Sequence, residues 1–351
     1  MKKINVLALA FVLMLVLAAC NSSKETGGST SAKNKAIEAS IDSASYILVD
    51  SDEGATSEEK GLLKVDLKVK NVSKNSISLS DYDGVYLYEG DEQLSPKTGV
   101  NSRELGLESS SSDKIGAGKQ KKLTFIFEVK KDKKYKIGLQ PTSSDYDEEI
   151  DEVTLTLDTK KYAKSYNKLK DPEKALQAYT EVLYLNKENV DYDKYVTADK
   201  TAVIEEQKKA FNEELKGAFS NSLTDKAKKD FFNMYKDVLK EKASVKTNVI
   251  ANANNKAVVE VEYTTVNLSD LYSYVSQLKR AYTDETKDYD TKHSEEFAAS
   301  KFKDIVNELE TKEGSRPLRI FMVKEDGKWT VKSSDLYSDS LGKTFGSSYI
   351  R

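Results

Sequence analysis

Two folded domains in series, an all-β sandwich followed by an α+β domain, are predicted by three features of the sequence. Through residues 37–158 apolar side chains alternate with polar ones, the period of strands with one wet face. From residue 159 onward they recur three and four apart in segments bounded by capping residues, and alternating stretches then return. The 351-residue chain also opens with a leader and a polar stretch, which leaves about 315 residues, more than one core of typical size needs.

The first twenty residues, MKKINVLALAFVLMLVLAAC, set Lys2 and Lys3 before an apolar run from Val6 to Leu17 and close on small residues and a cysteine. This is the pattern of an export signal, and the run falls short of the roughly 20 residues that span a bilayer. Leu17-Ala18-Ala19-Cys20 resembles the lipobox of bacterial lipoproteins. The resemblance implies that residues 1–19 are a cleaved signal peptide and that Cys20 carries a diacylglyceryl group, a membrane anchor at the extracytoplasmic face of the cell membrane. Two acyl chains, at about 0.8 kcal/mol per buried methylene, hold firmly where one binds marginally. A plain secretory signal with a chance cysteine is the competing reading; Cys20, the chain's single cysteine, standing at the cleavage point favours the lipobox. A cysteine used for lipid leaves none for a disulfide or a thiolate. The discarded peptide, ending Leu15-Val16-Leu17-Ala18-Ala19, resembles the signal-derived pheromones of some Gram-positive bacteria. Residues 20–36 comprise the lipidated cysteine and a Ser-, Gly-, Thr- and Lys-rich tether with an end-to-end distance of about 20 Å if it behaves as a flexible coil.

In the first domain, residues 37–158, the strand candidates are Ser45 to Val49, Leu63 to Val69, Val85 to Tyr88, Lys122 to Val129 and Val153 to Leu157. Turn chemistry separates them at Asp83-Gly84, Glu89-Gly90-Asp91, Gly116-Ala117-Gly118 and Lys131-Asp132-Lys133. Short strands at such spacing predict a sandwich. VDLKVKNVSKNSISLSDYDGVYLY followed by KIGAGKQKKLTFIFEVKKDKKYKIGLQP resembles the immunoglobulin-like module of Gram-positive surface lipoproteins, through the strand ending in Asn71, the Gly116 and Gly118 turn and the Phe125-Phe127-Val129 strand. That likeness implies a spacer or binding unit.

The second domain, residues 159–351, begins with a predicted helix capped at Asp171 with Pro172 behind it, whose buried face is Ala175, Leu176, Tyr179, Val182 and Leu183. Helices over Asp199 to Phe219 and Thr224 to Lys242 follow, then strands Val245 to Ala251 and Ala257 to Val266. A helical stripe of Leu271, Val275, Leu278 and Tyr282, another from Phe297 to Leu309, and a hairpin about Glu325-Asp326-Gly327 complete the pattern. Helices covering one face of a curved antiparallel sheet account for this order. It resembles the cone-shaped nuclear transport factor 2-like fold and an uncharacterised domain of lactic-acid-bacterial and related lipoproteins.

Formal charge is −3 and becomes slightly more acidic once Lys2 and Lys3 are lost, which excludes nucleic acid as a partner, since that requires a concentrated basic surface. Ser165-x-x-Lys168, Ser300-x-x-Lys303 and Lys97-Thr98-Gly99 have the forms used by penicillin-recognising enzymes, but in the wrong order. His293, the one histidine, offers a triad nothing to recruit, and with Glu296 supplies two ligands where zinc needs three or four. The acidic stretches Asp81 to Gly84 and Asp145 to Glu152 lack calcium-loop spacing, so no metal and no cofactor are expected. Lys130, Lys131, Lys133, Lys134 and Lys136, near Lys119, Lys121 and Lys122, are candidates for contact with an anionic surface, or for protecting a sheet edge. Twenty tyrosines against eleven phenylalanines offer stacking surfaces or core rims; Tyr184, Tyr192, Tyr195, Tyr263, Tyr272, Tyr274 and Tyr289 lie in the second half.

These features favour a non-catalytic envelope protein that binds another envelope protein, a peptide or a wall polymer, with the sandwich as spacer. The alternative is a small-ligand carrier or enzyme that uses a concave pocket in the C-terminal domain, in which case carboxylate, tyrosine or His293 side chains should converge there.

Overall fold

In the computed structural model, which describes residues 30–50, 59–145, 147–220, 223–337 and 339–348, an all-β unit precedes an α+β unit. The first contains β1 (Ser31–Lys33), β2 (Ile37–Ile47), β3 (Lys60–Asn71), β4 (Ile77–Ser80), β5 (Val85–Glu89), β6 (Glu92–Leu94), β7 (Ser112–Ile115), β8 (Gln120–Lys130), β9 (Lys134–Leu139), β10 (Thr142–Ser143) and β11 (Val153–Asp158). One layer is the sheet β1-β2-β3-β8, and the strands facing it form two sheets, β11-β9-β5-β6 and β10-β4-β7. The alternation in β3 sends Leu63, Val65, Leu67 and Val69 inward against Leu87, Ile137 and Leu155 of the other layer. Gly84, Gly90, Gly118 and Asp132 take positive φ at the turns. At Gly84 a Cβ would stand 2.8 Å from the carbonyl oxygen of Gln140, so the strand-to-strand approach itself requires glycine.

The stretch after β11 still packs on the sandwich. Helix α1 (Ala163–Asn167) presents Ser165, whose Oγ accepts from the Tyr46 backbone N–H at 3.0 Å, and Tyr166, edge-on to Tyr46 at 5.2 Å.

The remaining helices are α2 (Asp171–Leu183), α3 (Tyr192–Tyr195), α4 (Lys200–Ala218), α5 (Asp225–Lys242), α6 (Leu271–Thr286), α7 (Thr291–Ser300), α8 (Phe302–Glu308) and α9 (Leu341–Thr344). Strands β12 (Ser244–Ala253), β13 (Lys256–Val266), β14 (Thr311–Glu313), β15 (Leu318–Glu325) and β16 (Lys328–Val331) form an antiparallel sheet in the order β12-β13-β15-β16, with β14 also on β13. Asp199 and Thr224 cap α4 and α5 by accepting from the backbone N–H three residues on. Two local expectations differ. Lys170 occupies the cap of α2 and Asp171 lies in its first turn, where a carboxylate still meets the positive end of the helix dipole. The helix expected over Phe297 to Leu309 breaks at Lys301, which lets Phe302 enter the core and stack on Phe231 at 3.9 Å.

Helices cover one face of this sheet. Val249, Val259, Val261, Ile320 and Met322 meet Phe211, Tyr235, Leu239 and Phe302 there. Phe345, fully buried just after α9, sits 6.0 Å from both Tyr184 and Tyr263, so the space between the helices and the sheet is filled by the chain's own aromatic side chains. Lys236 is buried beside it. Its Nζ donates to the carbonyls of Leu183 (2.8 Å) and Tyr184 (2.5 Å) and to Gln207 Oε1 (3.1 Å), and so satisfies the carboxyl end of α2.

A bulge joins the two units. The β12–β13 register slips at Ile250, so Val249 faces the helices while Ala251 and Ala253 face the sandwich. Ile47, Leu62 and Ile126 of the sandwich, with Leu105 and Leu107 of the β6–β7 connection, pack there against Ala251, Ala253, Val258 and Phe321. Leu48 and Asn252 exchange both backbone hydrogen bonds at 2.9 Å. Asn254, in the left-handed turn after β12 (φ 52°), donates to Gly106 O at 2.8 Å and accepts from Lys64 Nζ at 2.8 Å. Arg319 reaches Asp50 at 3.2 Å and Glu260 at 3.0 Å. Together these contacts make the two units one body.

Candidate functional site

Leu17, Ala18, Ala19 and Cys20 lie outside the described residues. The lysine run occupies the connection from β8 to β9, which crosses from one layer of the sandwich to the other, and much of it is engaged. Lys130 and Lys133 share the Glu89 carboxylate at 3.0 and 3.5 Å, and Lys131 stands 4.1 Å over the Tyr166 ring. Lys134 and Lys136 are exposed. Lys121 and Lys122 are at the opposite end of β8, where they pair with Asp113 and with Asp42 and Asp66; about eight residues of strand, some 26 Å, separate the two groups. They are two patches and not one.

His293 is at the start of α7 with Nδ1 2.8 Å from Asp288 Oδ2, a carboxylate that also accepts from the Tyr282 hydroxyl at 3.0 Å. The hydrogen bond to Asp288 and its negative charge raise the imidazole pKa above its ordinary value. Glu296 points instead to Lys292 at 3.9 Å. Ser165 and Ser300 donate to the carbonyls of Tyr162 and Phe297, structural uses of both hydroxyls. The two acidic stretches do meet: Asp83 lines one open cavity of about 630 Å³ with Asp145, Glu148, Glu149, Asp151 and Glu152, in which Glu148 accepts from Asn75 and Ser143 and Glu152 from Tyr88. Of the seven tyrosines singled out, Tyr184, Tyr192 and Tyr263 are buried in the core and Tyr272 and Tyr289 are exposed.

The surface feature that gathers the most chemistry is a cleft of about 550 Å³ in the α+β unit. Its walls come from α2 and its end (Tyr179, Tyr184), the first turns of α4 (Ala202, Val203, Glu206), β15 and β16 (Phe321, Val331), and the segment leading into α9 (Tyr337, Ser340). Burial in the wall, with the negative field of Glu206 among the further contributions, pushes the Tyr179 and Tyr184 hydroxyls well above the usual phenol range, so both stay protonated donors. Ser340 Oγ donates to Glu206 Oε1 at 3.0 Å. Glu206 also lies so close to Gly342 that a Cβ there would stand 2.7 Å from Oε1. Asp339 is held by Arg316 at 3.2 Å and Lys332 by Glu325 at 3.0 Å. An aromatic wall, a hydroxyl row and a carboxylate without a counter-cation among the described residues suit the binding of a small polar molecule.

Residues 162–346, more than half of the chain, match the family described as a domain of unknown function, DUF5105. The chain belongs to that family. Residues 29–150 match a second domain of unknown function, DUF4352. An uncharacterised lipoprotein of Bacillus subtilis, YcdA, is 26% identical over 358 residues, 98% of each chain. The crystal structure of that lipoprotein covers 88% of this chain and 96% of its own at 24% identity, with a TM-score of 0.62; at this identity the likeness concerns the fold, an all-β unit followed by an α+β unit. The chain is thus akin to Gram-positive lipoproteins.

Every residue that lines the cleft lies within the DUF5105 portion. Tyr179 was legible as a buried helix-face residue and Tyr184 as one of the surplus tyrosines. Glu206 was not singled out, because it is one acidic residue among many on α4, and the segment 337–341 carries no periodicity that would place it opposite that helix.

Proposed function

We propose that this chain is a membrane-anchored extracytoplasmic lipoprotein that binds an envelope protein, a peptide or a wall polymer without transforming it. In this reading Cys20 carries the diacylglyceryl anchor after cleavage of residues 1–19, and the tether ends before β1: Ser31–Lys33, whose polar composition assigned them to the tether over residues 20–36, pair instead with β2. Residues 37–158 serve as an immunoglobulin-like spacer, and residues 159–351, nuclear transport factor 2-like, are the recognition unit. The observation that carries it is the filled cone. Where a fold of this shape would keep a chamber for chemistry, Phe345, Tyr235, Phe211 and Phe302 occupy the interior, and binding groups are left at an open edge. Kinship to lipoproteins supports the anchor. A photocrosslinker at exposed Tyr272 or Leu336, followed by recovery from intact envelopes, should enrich a defined protein or polymer; recovery indistinguishable from an unmodified control refutes the reading. Cys20→Ala should release the protein to the medium or leave an uncleaved precursor, and persistence of a lipid-labelled membrane form would refute the anchor.

The alternative, a small-ligand carrier or enzyme, draws support for its carrier half from the Tyr179, Tyr184 and Glu206 cleft.

A further inference from the structure

We propose that the cleft between α2, α4 and the segment before α9 binds a small organic amine, its ammonium group against Glu206 and its apolar body between Tyr184, Phe321 and Tyr337. The proposal rests on the reading of the chain as a binding protein and names the ligand chemistry of this one site.

Three observations carry it. The first is charge. Three ionised side chains line the cleft, and two are already answered: Asp339 by Arg316 (3.2 Å), and Lys332 by Glu325 (3.0 Å), which lies outside the lining. Glu206 has a neutral partner, Ser340 Oγ at 3.0 Å, and no ion pair among the described residues. The uncompensated charge of the cleft is therefore one carboxylate, and an entering ligand gains most from one positive charge.

The second is the wall. Aromatic faces attract cations through their quadrupole and accept apolar groups equally well. Tyr179 and Tyr184 lie 6.1 Å apart and tilted by 49°, within the field of the same carboxylate. Val203, Val331 and Ile320 extend the apolar surface. The volume, about 550 Å³, is in the range of small-molecule sites.

The third is the fit of Gly342. A Cβ at this position would fall 2.7 Å from Glu206 Oε1 and 2.9 Å from its carboxyl carbon, so the absence of a side chain in α9 leaves the carboxylate room to sit against the helix. Gly342 has no positive φ, and Gly342→Ala therefore moves Glu206 without straining the backbone or removing charge.

The chain has one tryptophan, Trp329, buried on β16 two residues before Val331 of the cleft wall, and it serves as reporter. The full chain in mild detergent is titrated with phenethylamine, with neutral 2-phenylethanol and with anionic 3-phenylpropionate, followed by Trp329 emission and by ligand-observed saturation-transfer NMR. Phenethylamine should saturate and bind at least about tenfold more tightly than the alcohol, and 3-phenylpropionate more weakly still. Glu206→Gln should erase the preference for the amine and Gly342→Ala should reduce it. Glu205→Gln, at the neighbouring exposed position that pairs with Lys208 (3.1 Å), should leave it intact. Equal affinity for the three probes, no binding by either readout at millimolar concentration, or a preference that survives Glu206→Gln in a folded variant overturns the proposal. An envelope partner recovered by crosslinking without amine binding would remove the amine assignment alone. Amine binding without a recovered partner would remove the macromolecular reading alone.

Discussion

Leu105 lies in a connection of the sandwich, yet its side chain, 1% exposed, is packed between the units with Leu107, Ile126, Val258 and Phe321. Leu105→Ala removes three carbons from a site walled on one side by each unit, so neither unit can close the gap without shifting against the other. Substitutions of this kind cost about 2–5 kcal/mol, the higher values where the surroundings do not collapse. For units of this size each kcal/mol corresponds to roughly 2–4 °C, so about 3 kcal/mol predicts a fall of roughly 6–12 °C. The loss falls on the joint, which predicts a second effect. The wild-type protein should melt in one transition whose calorimetric and van't Hoff enthalpies agree, and the variant should broaden or split into two. Differential scanning calorimetry separates these outcomes. Two resolved transitions in the wild type, or a variant that melts as the wild type does, would refute the claim that the apolar cluster couples the units.

Phe345→Ala should cost about 3–5 kcal/mol in chemical denaturation, because Phe345 fills the core between Tyr184 and Tyr263; a loss under about 1 kcal/mol would mean that the C-terminal segment only rests on the surface. Burial lowers the Lys236 ammonium to about 8, below its unfolded value near 10.4, so the unfolded chain binds the extra proton between these values and stability must rise with pH across that window. Measured against Lys236→Met, the gain from pH 8 to pH 10 should approach about 2 kcal/mol, and parallel pH profiles would contradict it. For His293 the sign is opposite. Its pKa is raised by Asp288, so its contribution is complete below the unfolded value near 6.5 and disappears as pH rises through the folded value. The single histidine gives one set of ring signals in an NMR titration, whose midpoint should lie above about 6.5 and fall in Asp288→Asn; a midpoint at or below 6.5 would show the pair is not formed in solution.

Much of the fold was legible because its signal is local. The alternation of Leu63, Val65, Leu67 and Val69 could bury a common face only as a strand, and Asp199 and Thr224 mark the starts of α4 and α5 through hydrogen bonds made within one turn. What was illegible depends on contacts remote in sequence. Leu105 and Leu107 stand in a polar stretch with no period, and their burial needs β13 and β15, which lie some hundred and fifty to two hundred residues on. The slip at Ile250 changes which side of β12 faces the helices, although an uninterrupted alternation through Ala253 would have kept one face. The break at Lys301 is similar, since the apolar spacing continues across it and the stacking of Phe302 on Phe231 decides the geometry. The cleft was legible only in its ingredients. Tyrosine abundance named two of its side chains, but the opposition of Glu206 and Ser340 joins positions far apart in sequence and awaited the docking of α9.

The course of β2 has a mechanical consequence. The chain enters the sheet beside Ile41, whose backbone N–H donates to Thr30 O ahead of β1, and β2 ends at Ile47, where Leu48 is bonded to Asn252 of the second unit. From Ile41 to Ile47 the strand, at about 3.3 Å a step, forms a strut of about 20 Å, stiffened by its neighbours and braced at the far end. On an anchored chain such a strut works as a mast. The second unit follows it as a braced load. The height of the cleft above a bilayer would then be set by strand length, while the tether sets only how far the mast leans and swivels. Lengthening the chain ahead of β1 should widen the circle that the cleft sweeps without changing its aim relative to the mast, whereas loosening the Leu48 and Asn252 join would add a second pivot at the top.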